Sequence, residues 1–315
     1  MHHHQSRQNV TTTLFAWYVM RTSTGIAAHV STKTNVNHPR CADVPLNIAL
    51  PAAASALAYL NARWSLSYDT KLIGSLLKSV MKSKYADWNN NLNLFYVLEK
   101  YALAPATKDH PFIVYNGRTW TFSETYQTVL RYGNWFRNVH GVKPKEIVAI
   151  DFMNSSTFIF FVLGLWSIGA VPALINYNLS GKPLTHSVRA STAKLLIVDE
   201  EVQKNFPPEQ LETFASPDFR EEKGPVTVVF FTPEVEAQVL QTEATRIDDE
   251  VRGEATLREI AALIYTSGTT GLPKPAIVSW KKCWVGSVFS NSWLGLGSKD
   301  RFFTVGQCYD DFPGK

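Results

Sequence analysis

This sequence contains few cysteines and has no strong excess of positive or negative charge. The three cysteines, Cys41, Cys283 and Cys308, have no metal-ligand spacing, and their odd number argues against a disulfide scaffold. Such usage is typical of a reducing compartment. The formal net charge is only +4, and signatures of RNP modules, zinc fingers and helix-turn-helix domains are lacking. Nucleic acid is therefore not an expected partner.

A clear secretory signal and a secure membrane span are also lacking. The apolar piece "LFAWYVM" near the start is short for a signal-peptide core and is not followed by a recognisable cleavage site. Val44 to Leu60 holds seventeen residues without a charge, whereas crossing a bilayer takes about 20. This segment is predicted to be membrane-associated, and both spanning and lying on the surface stay open.

Phe158 to Ile175 also lacks charge, over eighteen residues. Hydropathy alone would favour a transmembrane helix. Gly164, Gly169 and Pro172 interrupt the stretch, however, and strand-like segments flank it. A buried helix followed by a buried strand fits these features better, with a membrane span as the alternative.

The sequence predicts a basic amphipathic helix in "DTKLIGSLLKSVMKSK", which starts at Asp69. Its leucines, Ile73, Val80 and Met81 share one face at helical spacing, and Lys71, Ser75, Lys78 and Lys82 fall on the opposite one. The pattern favours contact with a membrane surface. Packing of the apolar face on the protein's own domain, with the lysines in solvent, is the alternative.

Charge is unevenly distributed along the chain. Between Asp199 and Glu259 there are sixteen acidic and six basic residues, which leaves eleven acidic and twenty-five basic residues elsewhere. The acidic segment is predicted to form exposed helices and loops with a solvated face. The basic surplus favours an anionic membrane surface or a phosphate ligand as partner.

From residue 112 the sequence predicts an α/β fold. "FIVYNGRTWTF" contains Asn116-Gly117, the dipeptide that favours a type I′ hairpin turn. Helical and strand patterns then alternate through "EIVAIDF", "TFIFFVLGLWSIG", "AVPALI", "KPLTHSVRAS" and "AKLLIVD". Strict alternation predicts a parallel sheet covered by helices.

The most informative stretch is "LIYTSGTTGLPKPA", residues 263–276. An apolar run typical of a buried strand leads into hydroxyls at Thr266, Ser267, Thr269 and Thr270, glycines at Gly268 and Gly271, and Lys274. Small side chains let backbone N–H groups approach anionic oxygens, hydroxyls donate further hydrogen bonds, and the lysine supplies charge. A phosphate-binding loop is the prediction, with a purely structural loop of small residues as the alternative.

The loop does not follow the Walker A pattern of P-loop nucleotidases. Only two residues separate Gly268 from Gly271, and Pro275 stands where Ser or Thr would ligate magnesium. "YTSGTTGLPK", Tyr265 to Lys274, instead resembles the phosphate-binding signature of adenylate-forming enzymes. With "KLIGSLL", "NLFYVLE" and "NYNLSGKPLTHSVRASTAKLLIVDEE", the sequence is similar to fungal fatty acid transport proteins, also called very-long-chain acyl-CoA synthetases, from Val44 to Val305.

This resemblance implies a fold, a reaction and a site. The fold would be the large N-terminal domain of the adenylate-forming fold, left incomplete, after a membrane-associated helical segment. Activation of long-chain or very-long-chain fatty acids would use ATP, Mg2+ and coenzyme A, proceed through an acyl-adenylate, and be coupled to fatty acid uptake. The phosphate site would comprise ten residues: Tyr265, Thr266, Ser267, Gly268, Thr269, Thr270, Gly271, Leu272, Pro273 and Lys274. No catalytic nucleophile and no metal-ligating residue is identified.

The resemblance also implies a division of the chain. Residues 1–43 are an unassigned leader expected to be disordered, 44–104 membrane-associated helices, 105–305 a partial adenylation domain, and 306–315 an aberrant tail. The protein would work on the cytosolic face of the endoplasmic reticulum, lipid droplets, peroxisomes or the plasma membrane. Because family segments expected after Val305 are missing, we expect a truncated form that need not be active, and an exposed sheet edge at the strand before the signature.

Two other classes of function stay open at this point. The chain could be a non-catalytic, membrane-associated protein that binds nucleotide or fatty acid. It could also be an integral membrane transporter, which would require both charge-free segments to span a bilayer.

Overall fold

The computed structural model describes residues 45–220, 224–266 and 272–303. The chain forms two compact units, residues 1–63 and 64–315, and each is described by itself. The predicted leader and tail lie outside the described residues.

In the first unit the described element is helix α1, Leu46–Trp64, none of whose residues is buried. Across the part of the chain that the structure describes, none of the helices has the length and apolarity needed to cross a membrane.

The second unit alternates helices and strands. Its helices are α2 (Leu66–Trp88), α3 (Phe95–Leu103), α4 (Phe122–Val139), α5 (Ser156–Ser167), α6 (Gly181–Ser191), α7 (Pro208–Ala215), α8 (Pro233–Gln241), α9 (Asp249–Arg252) and α10 (Trp280–Leu294), with a 3-10 helix at Glu200–Asn205. Its strands are β1 (Pro111–Tyr115), β2 (Arg118–Thr121), β3 (Ile147–Asp151), β4 (Val171–Ile175), β5 (Leu195–Asp199), β6 (Thr227–Phe231), β7 (Ile260–Thr266) and β8 (Lys274–Ser279).

Six strands form the main sheet in the order β6-β5-β3-β4-β7-β8. Neighbours pair in parallel, except that β8 runs antiparallel to β7. One face is covered by a buried cluster that includes α4 and α5, and the other by a cluster that includes α6 and α7. The predicted parallel sheet covered by helices is confirmed.

The predicted hairpin precedes helix α4. β1 and β2 form the predicted antiparallel hairpin, and Asn116 and Gly117 both have positive φ, as a type I′ turn requires. The next helix, α4, begins at Phe122, directly after the hairpin. Thr121 caps it in a capping box with Glu124, which satisfies two backbone N–H groups at once.

The charge-free stretch from Phe158 to Ile175 forms α5 and then β4 rather than one membrane helix. All five residues of β4 are buried, and β4 pairs with β3 and β7. Helices α4 and α5 cross closely at Gly133 and Gly164. A Cβ at residue 164 would lie 2.9 Å from the Tyr132 Cβ, so only glycine fits this contact.

The predicted orientation of the basic amphipathic helix is wrong in one respect. α2 begins at Leu66, before Asp69, and its buried residues are Ser75, Ser79, Ser83 and Ala86. The predicted apolar residues stay largely exposed, Met81 at 70%. The helix therefore packs through its small polar residues, and Ser75 is not on a solvated face.

Two further expectations are corrected. The acidic segment 199–259 is not only a solvated surface, because it supplies strand β6 and fully buried residues such as Phe214 and Val239. Strand β7 is not an exposed sheet edge, because β8 pairs along it from Ile260 to Thr266. Strand β8 was not predicted.

Candidate phosphate-binding site

The signature loop connects β7 to β8. Thr266, the last residue of β7, is the register partner of Lys274, the first residue of β8. Thus the two ends of the loop lie side by side. Residues 267–271 of the predicted site lie outside the described residues.

The sheet determines where this loop emerges. Ala261, Ala262 and Leu263 are buried in β7, which lies parallel to β4. Thr266 therefore stands at the carboxyl edge of the parallel strands, the edge at which open α/β sheets bind their ligands.

Tyr265 is half-buried at the end of β7. It packs against the buried cluster beneath α6, and its hydroxyl donates a 2.9 Å hydrogen bond to the backbone carbonyl of Ser187. Burial raises the pKa of this phenol above its usual value. The side chain thus anchors the end of β7 to α6, which gives Tyr265 a positioning role at the start of the loop.

Lys274 faces solvent at the other end of the loop. Its side chain is exposed and forms no ion pair with the described residues. Thr266 is half-buried opposite it. Lys274 is thus a cation without a carboxylate partner among the described residues, and Thr266 adds a hydroxyl at the same sheet edge. Together these two groups suit a phosphate ligand. Leu272 and Pro273 lead into β8 and are both half-buried.

Sequence reasoning missed Asp151, which ends β3 at the same edge of the sheet. It is fully buried, and neither carboxylate oxygen has a hydrogen-bond partner among the described residues. Burial, and then the nearby Asp199 carboxylate, raise its pKa to about 8. The carboxyl group is therefore protonated at neutral pH. Its only signal in the sequence is an acid ending the apolar run "IVAI".

Two cavities flank the sheet, and neither is lined by the described signature residues. One of about 260 Å³ at the carboxyl edge is bordered by Asp199, Glu200, Glu201 and Glu236. Its negative charge disfavours phosphate. The other, about 210 Å³, lies where Ile147 and Val171 begin their strands, at the opposite edge. Among the described residues, no group of His, Cys, Asp and Glu is arranged to hold a metal ion.

Comparison with known proteins decides the family. The family described as "AMP-binding enzyme" matches residues 101–312, about two-thirds of the chain. The chain belongs to the AMP-binding enzyme family. The predicted resemblance to adenylate-forming enzymes is thereby confirmed, and the signature residues Tyr265–Lys274 lie within the matched region.

Proteins that carry names for fatty acid transport are similar to the chain. It is 29% identical over 270 residues to a very long-chain fatty acid transport protein of Cochliobolus heterostrophus, covering 84% of this chain and 40% of that protein. It is 35% identical over 202 residues to the very long-chain fatty acid transport protein of Saccharomyces cerevisiae, covering 59% and 28%. The chain thus spans less than half the length of these two relatives.

A solved structure of the adenylate-forming fold is similar to this chain. O-succinylbenzoate coenzyme A synthetase of Bacillus subtilis, solved with ATP and magnesium ion, matches with a TM-score of 0.53 and 20% identity, over 68% of this chain and 51% of that one. At this identity the likeness concerns the fold, and it confirms the predicted α/β large domain of the adenylate-forming fold.

Proposed function

We propose that the chain is the ATP-binding part of an enzyme that activates long-chain or very-long-chain fatty acids for uptake. A fatty carboxylate oxygen would attack the α-phosphorus of ATP, forming acyl-adenylate and releasing pyrophosphate. The sulfur of coenzyme A would then attack the acyl carbon, so that acyl-CoA forms and AMP leaves. Membership of the AMP-binding enzyme family carries this proposal.

The substrate class rests on the relatives. The two fungal proteins described above carry names for very long-chain fatty acid transport. The family match over residues 101–312 includes both the main sheet and the signature. We assign the same class of substrate to this chain. The working place would be the cytosolic face of a membrane, as the exposed apolar and basic residues of its N-terminal helices favour.

In this proposal the signature residues hold the β- and γ-phosphates of ATP. Lys274 supplies positive charge as pyrophosphate leaves, and the hydroxyls of Thr266, Ser267, Thr269 and Thr270 donate hydrogen bonds. Gly268 and Gly271 let the backbone approach the phosphate oxygens. Leu272 and Pro273 aim Lys274, and Tyr265 fixes the end of β7. Magnesium would arrive with ATP and add charge stabilisation.

Binding of Mg·ATP to the intact chain tests the site. Calorimetric titration should give saturable binding to wild type, and Lys274→Ala should weaken it about 10-fold to 100-fold, the cost of one charged hydrogen bond to phosphate. Lys281→Ala is the matched control, because Lys281 is also exposed and lies just beyond β8. Equal weakening by both substitutions, or no binding by wild type, would contradict the proposed site.

A second assay separates the enzyme from a nucleotide-binding protein. Exchange of labelled pyrophosphate into ATP that depends on added oleate, and that is lost in Lys274→Ala, would support fatty acid adenylation. Binding of Mg·ATP without such exchange would instead favour the non-catalytic alternative for this chain.

A further inference from the structure

Helix α2 exposes its apolar side, and this arrangement points to a partner. Its inward side consists of Ser75, Ser79, Ser83 and Ala86, all buried. The Ser75 hydroxyl lies 3.2 Å from that of Ser292 in α10. The other two serine hydroxyls donate to carbonyls within α2 itself. Small side chains with satisfied hydroxyls permit close packing, so α2 contacts α10 through this side.

The opposite side of the helix is apolar and exposed. We call Ile73, Leu77, Met81 and Trp88 the outer face of α2; their spacing places them on one side of the helix. Their exposed fractions are 57%, 58%, 70% and 88%. Leu76 and Tyr85 beside this face are also exposed, at 49% and 69%. A contiguous exposed apolar surface of this kind marks an interaction site.

Positive charge accompanies the outer face. Lys78 and Lys82 lie along one border of this face, and Lys84 falls between Ile73 and Leu77 in helical projection. None of these three lysines takes part in an ion pair with the described residues. Long lysine side chains extend their ammonium groups away from an apolar surface toward a polar one.

We propose that the outer face of α2 lies on an anionic lipid bilayer, with its apolar side chains among the acyl chains and its lysines at the lipid phosphates. The outer face combines exposed apolar residues, Lys84 among them and Lys78 and Lys82 at one border, and Tyr85 and Trp88 lie toward one end. The three lysines have no ion-pair partner among the described residues, and this combination complements an anionic membrane surface. A second copy of the chain is a poorer fit, because it would bring two sets of lysines together. The inference rests on the proposed membrane location and adds the surface and the lipid charge.

Co-sedimentation of the 315-residue chain with vesicles tests this inference. Vesicles of phosphatidylcholine with phosphatidylserine should bind wild type more tightly than vesicles of phosphatidylcholine alone. Replacing Ile73, Leu77 and Met81 together by Gln should weaken binding at least about tenfold, since apolar transfer drives interfacial insertion. The matched control replaces Val139, Leu240 and Val251 by Gln, three apolar residues exposed elsewhere in the same unit.

Charge is tested separately. Replacing Lys78, Lys82 and Lys84 by Gln should weaken binding about tenfold or more to vesicles with phosphatidylserine, and much less to neutral ones, because each lysine near an anionic surface contributes favourably. The control replaces Lys100, Lys108 and Lys143, which are also exposed, by Gln. Added salt should shrink the difference.

The outcomes distinguish this inference from the proposed function. If wild type binds neither kind of vesicle, the membrane location itself fails. If wild type binds and the outer-face variant binds as its control does, only the role of α2 is overturned. If the outer-face variant changes the sedimentation coefficient without lipid, the face joins copies of the chain and the lipid assignment is wrong. Circular dichroism should show equal helix content in all variants, because every substituted residue is exposed.

Discussion

Asp151 shows how a single residue links burial to pH. Its folded-state pKa of about 8 lies far above the ordinary 3.8 of aspartate. Below about pH 4 the carboxyl is protonated in both the folded and the unfolded chain, and it has no effect on the balance between them. Between about pH 4 and 8 only the unfolded chain releases the proton, so the free energy of unfolding falls as the pH rises.

Asp151→Asn should remove this dependence. We expect the free energy of unfolding of wild type, relative to the variant, to fall by a few kcal/mol between about pH 4 and about pH 8, at roughly 1.4 kcal/mol per pKa unit. Urea denaturation at a series of pH values measures it. The exposed Asp109→Asn variant controls for the loss of one carboxylate. If the difference in unfolding free energy between wild type and Asp151→Asn stayed constant with pH, Asp151 would ionise at the same pH in the folded protein as in the unfolded chain.

Sequence reasoning found the signature but missed Asp151, for a physical reason. Residue types in order suffice to identify a phosphate-binding loop, because the glycines, hydroxyls and lysine act within ten consecutive residues. The state of Asp151 depends instead on being enclosed by neighbouring strands and helices, and on Asp199 across the sheet. The burial of Asp151 therefore cannot be predicted from the residues next to it in the sequence.

At the scale of elements, the crossing of α4 and α5 depends on glycine. Gly164→Ala should lower the free energy of unfolding by about 1–3 kcal/mol, because the added methyl would overpack against the Tyr132 Cβ at 2.9 Å. Gly286→Ala in α10 is the matched control. A Cβ there meets nothing within 4 Å, so it should stabilise the protein by about 0.5–1 kcal/mol. Chemical denaturation measures both, and stabilisation by both substitutions would refute the close contact.

Periodicity predicted the strands and helices of the sheet well, yet it misjudged how α2 packs. A helical repeat reports which residues share a face, but not which face meets a neighbour. The partner of Ser75 is Ser292, 217 residues away, and nothing local to either residue predicts that pairing. Strand β8 was missed because its Lys-Pro start reads as loop, although its last four residues, "AIVS", can pair along β7.

At the scale of the whole second unit, the buried Arg252 contacts three helices that are far apart in the sequence. Arg252 donates to the backbone carbonyls of Ser167 and Ile247 at 2.7 and 3.2 Å, and pairs with Asp249 at 2.6 Å. Its guanidinium also stacks 4.6 Å from the Phe95 ring centre. Helices α3, α5 and α9 meet at this one side chain.

Arg252→Ala should therefore lower the free energy of unfolding by about 2–5 kcal/mol, because it leaves two buried carbonyls without a donor and a cavity where the buried side chain packed. Arg258→Ala is the control, since Arg258 is exposed and surface substitutions of this kind change stability by at most about 0.5 kcal/mol. Differential scanning calorimetry on both variants checks the ranking. Equal melting temperatures of the two variants would show that the contacts of Arg252 do not stabilise the folded protein.

The strand order has a consequence for how the protein is made. The first strand of the main sheet to leave the ribosome, β3, becomes an interior strand, and β4 and β5 then join its two sides. Later strands add outward, β6 beyond β5 and β7 beyond β4. At every stage of synthesis the arriving strand finds an edge that is already formed, so the sheet can grow from its interior while the rest of the chain is still being translated.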